Sequence, residues 1–140
     1  MITKTFVKTL REDATIQTLL GATGSSDCPV FTTQNFDETV TKQINISLEY
    51  GETLPWSCAA DIHDGRVLVY ILVKDTESGA INTSHTIASR ILELLDLKGS
   101  VLNDTSTVYW VQKLDSDFTH YDDIHFYELL ITFRFVIKES

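Results

Sequence analysis

Residues 67–73 (VLVYILV) form seven uninterrupted apolar positions between Arg66 and Lys74, and four of them are β-branched: Val67, Val69, Ile71 and Val73. A run this short, dense in β-branched side chains and closed by a charge at each end, predicts a central strand covered on both faces. Behind it, Asp75-Thr-Glu-Ser-Gly79 supplies turn residues, and the apolar period changes. Ile81, Ala88, Ile91 and Leu95, joined by Ile87 and Leu94, recur at steps of three and four, placing them on one stripe of a helix over 81–95. A strand, a tight turn and an amphipathic helix are thus adjacent in the chain, and whatever else folds must pack around that unit.

The flanking segments supply more of both kinds. Ile2, Phe6, Val7 and Leu10 keep helical spacing, and Asp13 stands where an N-cap would start a second short helix bearing Ile16, Leu19 and Leu20 and stopped by Gly21. Residues 22–29 read as a loop and 30–33 as a short strand. From 44 to 50 the residues alternate, with Ile44, Ile46, Leu48 and Tyr50 on one face and Asn45, Ser47 and Glu49 on the other, as in a half-buried strand. Residues 51–65 lose periodicity and read as a long loop carrying Pro55, Trp56, Cys58 and His63. Trp56 there either anchors a partner or folds back onto the core. Asp96 to Gly99 stops the helix, and Asn103, Asp104 and Ser106 make a turn. Then come a strand over 108–114, an acidic loop over 115–124, and a long strand over 126–137. The resulting expectation is a single α+β domain over 1–140, with a mixed, mostly antiparallel sheet of four to five strands and helices packed on one face.

That last strand sets a problem. Its odd positions, Tyr127, Leu129, Ile131, Phe133, Phe135 and Ile137, are all apolar and are expected to pack on the helix. Its even positions mix Phe126, Leu130 and Val136 with Glu128, Arg134 and Lys138. With helices on one side only, Phe126, Leu130, Val136 and part of the 67–73 run face outward, and burying four such side chains is worth roughly 6–12 kcal/mol. Left in water they exceed the apolar patch of an ordinary monomer. The expected use is a subunit interface, with Trp56, Phe126, Glu128, Leu130, Arg134 and Val136 as its residues.

Composition removes several alternatives. A net charge of −9 opposes sequence-independent nucleic-acid binding and attachment to an anionic membrane. The longest apolar run is well short of the ~20 residues of a membrane helix. The opening MITKTFVKTLRED has no apolar signal region, which predicts synthesis in a cytoplasm and, for Cys28 and Cys58, reduced structural thiols. No GxSxG, HExxH, P-loop or GxGxxG motif is present, so the chain is read as a non-enzyme without cofactor. His120 and His125, with Asp115 and Asp117 upstream, form the best metal-like cluster, but their spacing matches no common site, and the acidic loop itself accounts for them. Asp61, His63 and Asp64 fit the turn before Gly65. His85 is expected partly buried within its helix.

The order of elements also carries a resemblance. The opening FVKTLRED-ATIQTLLGA, then PVFTTQ and a strand, then VLVYILVKD and AINTSHTIASRILELLD, then two closing strands, is similar to the tail-completion and tail-terminator proteins of long-tailed bacteriophages. That likeness implies a virion protein at the head–tail junction. It would assemble as a hexameric ring that caps the tail tube, stops tube polymerisation and docks the tail on the head connector. It further implies partners in other copies of itself, the tube protein and the connector or stopper protein, with DNA passing unbound and no catalysis. A head-completion or stopper protein of the connector, and a cytoplasmic ferredoxin-like adaptor for a small partner, remain as other readings of the same pattern.

Overall fold

The computed structural model describes residues 2–32, 36–53, 62–96 and 106–139. Within them the order is α1 (Ile2–Arg11), α2 (Ala14–Leu19), β1 (Val30–Thr32), β2 (Lys42–Thr53), β3 (Ile62–Lys74), α3 (Ala80–Leu95), β4 (Ser106–Tyr121) and β5 (Phe126–Glu139). The five strands form one sheet in the order β1-β2-β3-β5-β4. Only β1 and β2 run parallel, and the other neighbouring pairs are antiparallel. This is the mixed, mostly antiparallel α+β sheet expected. No helix among the described residues is long and apolar enough to cross a membrane. Trp56, Pro55, Cys58, Asp61, Asn103 and Asp104 lie outside the described residues.

β3 occupies the middle of the sheet because both of its edges find long partners. Ile44, Ile46 and Leu48 on β2 stand opposite Ile71, Val69 and Val67, which in turn oppose Leu129, Ile131 and Phe133 on β5. Cross-strand partners point to the same side of a pleated sheet, so these three rows make one continuous apolar surface. Ile87, Ala88, Ile91 and Leu95 of α3, with Phe6 and Leu10 of α1 and Ile16 and Leu20 at α2, close over it as a single buried cluster. Phe6 meets Phe135 with ring centroids 5.9 Å apart. Each such side chain removed from water contributes about 1.5–3 kcal/mol. The odd-numbered face of β5 therefore packs on the helices, as its alternation predicts. Cys28 is a buried free thiol in the same core, and burial pushes its pKa up.

Local chemistry fixes where the helices begin and end. Asp13 caps α2, its Oδ2 accepting from the Ile16 N–H at 2.9 Å. The same carboxylate is gripped by Arg90 of α3, whose Nε and Nη2 donate at 3.0 and 2.6 Å. One side chain thus satisfies a helix terminus and ties the N-terminal helices to α3. Gly21 follows with φ 75°, the left-handed conformation that ends a helix and that a Cβ disfavours.

Several expectations are corrected. Residues 115–121, read as acidic loop, are strand: β4 runs to Tyr121, and only 122–125 turn. Gly51–Thr53 and 62–65, read as loop, extend β2 and β3. Ile81, assigned to the buried stripe of α3, is 45% exposed, and Ala80 and Ser84 are buried instead. Gly79 caps the helix in the left-handed conformation, and the buried stripe begins at Ala80. His85 is exposed.

Asp13→Ala is expected to lower the unfolding free energy by about 1–2 kcal/mol through the lost cap. The side-chain bonds from Arg90 hold the Asp13 pKa below its ordinary 3.8, so its stabilisation is complete above that value. It is lost as pH falls through the lower folded value. Denaturant titrations of both proteins at neutral pH and near pH 3 should show the gap shrinking in acid.

Candidate functional site

The second face of the sheet carries the even positions of β5 and β3. Tyr70 stands opposite Leu130, Leu72 opposite Glu128, Leu68 opposite Thr132, and Trp110 of β4 opposite Val136. Helices α1, α2 and α3 bury their apolar residues against the other face, so Leu68, Tyr70, Glu128, Leu130 and Val136 are only half-buried. The interface residues expected on this strand are therefore brought together on one surface, with Phe126 as the exception. Phe126 is 1% exposed, because Phe36 meets its ring edge-on at 5.7 Å and the Lys74 ammonium lies 5.9 Å from its centroid. It is covered from within the chain and does not belong to the surface.

Arg134 lies across this face, clamped to Asp64 of β3 by Nε–Oδ1 at 2.9 Å and Nη2–Oδ2 at 2.6 Å. Its guanidinium carbon also sits 5.4 Å from the Trp110 ring centroid. Such a forked pair holds a planar cation in a fixed orientation beside apolar neighbours. The sequence reading placed Asp64 in a turn. Continuing the alternation of β3 back from Leu68 through Arg66 to Asp64 is the signal that would have put it on the Arg134 face.

One end of the face is folded over by residues 36–41. Gln43, just before the alternation of 44–50, is buried and donates to the carbonyls of Asp37 and Val40 at 2.6 and 3.3 Å. Its Oε1 accepts from the Asp37 N–H and from Asn45 Nδ2 at 3.2 and 3.0 Å. Asn45 is 1% exposed, and its Oδ1 has no partner among the described residues. An acceptor stranded in this way costs about 1–3 kcal/mol. Asn45 lines a cavity of about 270 Å³ whose walls are Phe36, Tyr70, Leu72, Tyr121 and Ile124, with Glu128 at its side.

Glu128 is held protonated more readily than an ordinary carboxyl, because burial raises its pKa and the nearby Asp117 adds to this. Tyr121 Oη donates to its Oε1 over a long 3.4 Å, which only partly opposes the shift. In turn the Glu128 charge, with burial, raises the Tyr121 pKa, and burial raises that of Tyr70.

The histidines fall elsewhere. His120 Nε2 and His125 Nδ1 lie 2.9 and 3.6 Å from the same Asp75 oxygen, and His120 Nδ1 is 3.1 Å from Asp122. The Asp75 N–H also donates to the His125 carbonyl at 2.9 Å. These bonds pin the β4–β5 turn to the end of β3, and Asp115 and Asp117 lie away from them on the opposite face of β4. No group of three or more metal-ligating side chains occurs among the described residues. His120 stacks on Tyr127, Tyr127 on Phe118 and Phe118 on His85, a row of rings that holds β4 beside α3.

No protein-family profile and no curated protein matches this chain. Among solved structures it is similar to a chain of the "Virion of native gene transfer agent (GTA) particle", with a TM-score of 0.74 and 10% identity. The likeness covers 95% of this chain and 91% of the other. At that identity the comparison establishes a shared fold.

Replacing Glu128 with Gln should raise the melting temperature at neutral pH, since the amide removes a poorly solvated charge. A carboxyl whose folded pKa is raised destabilises as pH climbs through its ordinary 4.5 and beyond. The advantage of Glu128→Gln should therefore vanish near pH 4, which thermal melts across pH would show.

Proposed function

We propose that this chain is a virion structural protein of a phage-like particle, acting without catalysis or cofactor. The observation that carries the reading is the end-to-end likeness of fold to a chain of a gene transfer agent virion. The half-buried second face of the sheet supports it, because a face bearing Leu68, Tyr70, Leu130 and Val136 with a fixed Arg134–Asp64 pair suits contact with another protein subunit.

Within that class the proposed role is tail terminator: a ring, taken as a hexamer, that caps the tail tube, ends its polymerisation and presents its other side to the head connector. The mechanism is geometric. Each copy offers its sheet face to a different patch on the next, and a closed ring of such heterologous contacts leaves no free apolar face to propagate. A charge of −9 per copy gives the lumen a repulsive lining for DNA that must pass without sticking.

Electron microscopy of purified tail tubes mixed with the protein tests the role, tube ends bearing a ring of fixed size being the expected result. Tubes that keep growing, or protein found only on connectors, would overturn it. Leu130→Asp is expected to lower the assembled fraction in solution by light scattering while leaving the far-ultraviolet circular dichroism unchanged. Unaltered assembly in that variant would remove the sheet face from the interface.

A further inference from the structure

We propose that the cavity between Phe36, Tyr70 and Tyr121 receives an arginine side chain from a neighbouring virion protein. That the neighbour is a virion protein rests on the function proposed above, whereas the arginine chemistry rests on the cavity alone.

The cavity offers acceptors and π-faces. Asn45 cannot turn its amide round to hide the bare oxygen: Nδ2 is committed to Gln43, and Gln43 is itself fixed by the backbone of Asp37 and Val40. The Oδ1 is thus a buried acceptor with no partner among the described residues, on a side chain that lines the cavity. Glu128 adds a half-buried carboxylate that pairs with no cation among the described residues, its one polar contact being the long bond from Tyr121. A ligand that accepts hydrogen bonds would meet lone pairs at both points. A donor with positive charge satisfies both.

Three aromatic rings then favour one cation over another. Phe36, Tyr70 and Tyr121 line the cavity with aromatic surface suited to a planar guanidinium, and Leu72 and Ile124 add apolar surface suited to a methylene stem. Arginine carries five donors in a fixed fork and sheds water more easily than the lysine ammonium. About 270 Å³ is enough for that side chain and too little for a folded segment. Three of this chain's four arginines are engaged within it, Arg11 on the Cys28 carbonyl, Arg90 on Asp13 and Arg134 on Asp64, and the donor is assigned to another protein. The net charge of −9 steers a basic partner toward it.

The test is a ¹⁵N NMR titration of the full chain at low salt with Nα-acetyl-arginine methylamide, beside the lysine, citrulline and tryptophan analogues. The expected result is a saturable shift of the Asn45 side-chain amide with affinity in about the millimolar range, as befits a ligand of this size. The neutral citrulline analogue, and Glu128→Gln titrated with the arginine analogue, should each bind about tenfold more weakly. No saturable shift, an equal response to citrulline, lysine or tryptophan, or unchanged binding in Glu128→Gln would overturn the proposal. Because the probe is a small molecule, the outcome is independent of tube capping. A chain that binds the analogue but leaves tubes uncapped loses the function proposed above and keeps the pocket, and the reverse result loses the pocket alone.

Discussion

Everything in this molecule follows from covering β3 on one side with helices. Val67, Val69, Ile71 and Val73 are wholly buried, locked between β2 and β5 in the sheet and beneath the helices. The pleat then fixes the rest. Leu68, Tyr70 and Leu72 must point the other way, and three helices on one face leave nothing of that kind for the second. A strand apolar at both parities, in a sheet with helices on one side, demands something further on its bare face. The chain meets that demand in part, folding 36–41 over Gln43, Asn45 and Phe126 and leaving Leu68, Tyr70, Leu130 and Val136 half-buried.

The elements legible in the sequence were those whose hydrophobic period is set by the helix-facing core. Both parities of 67–73, the odd face of β5, the alternation at 44–50 and the cap at Asp13 each encode a local rule and a tertiary role that agree. The acidic strand at 115–121 was illegible for a physical reason. Asp115, Asp117 and His120 are poor strand formers, and their pairing with β5 is imposed by the hairpin, not by propensity. Asn45 misled in the opposite way: alternation put it on the polar side of 44–50, and it is buried against Gln43, itself held by the backbone of Asp37 and Val40. The Asp64–Arg134 pair joins residues seventy positions apart, which no local pattern reveals. The cavity and its bare amide oxygen were equally invisible, being built from four separate segments.

Charge placement distinguishes the two ways this sheet can meet other molecules. The long edge strand β4 presents Asp115 and Asp117 on the second face, and such acidic side chains discourage a further strand from pairing there. At the opposite edge β1 is only three residues long, too short to template much. Growth of the sheet sideways is therefore discouraged along β4 and finds little template in β1. Contact through the face is not, because Arg134 there is already neutralised by Asp64 and half-buried apolar side chains surround it.

That asymmetry matters for a protein whose second face is left half-buried. An exposed face with sticky edges would lead to fibres, since edge pairing adds chains without limit and has no angle at which it must stop. A face contact is different: it is bounded in area and excludes a second partner once filled. Repeated around an axis, such a contact closes when the rotation divides the circle. Blunted edges beside a half-buried face thus favour contact through the face over growth through an edge.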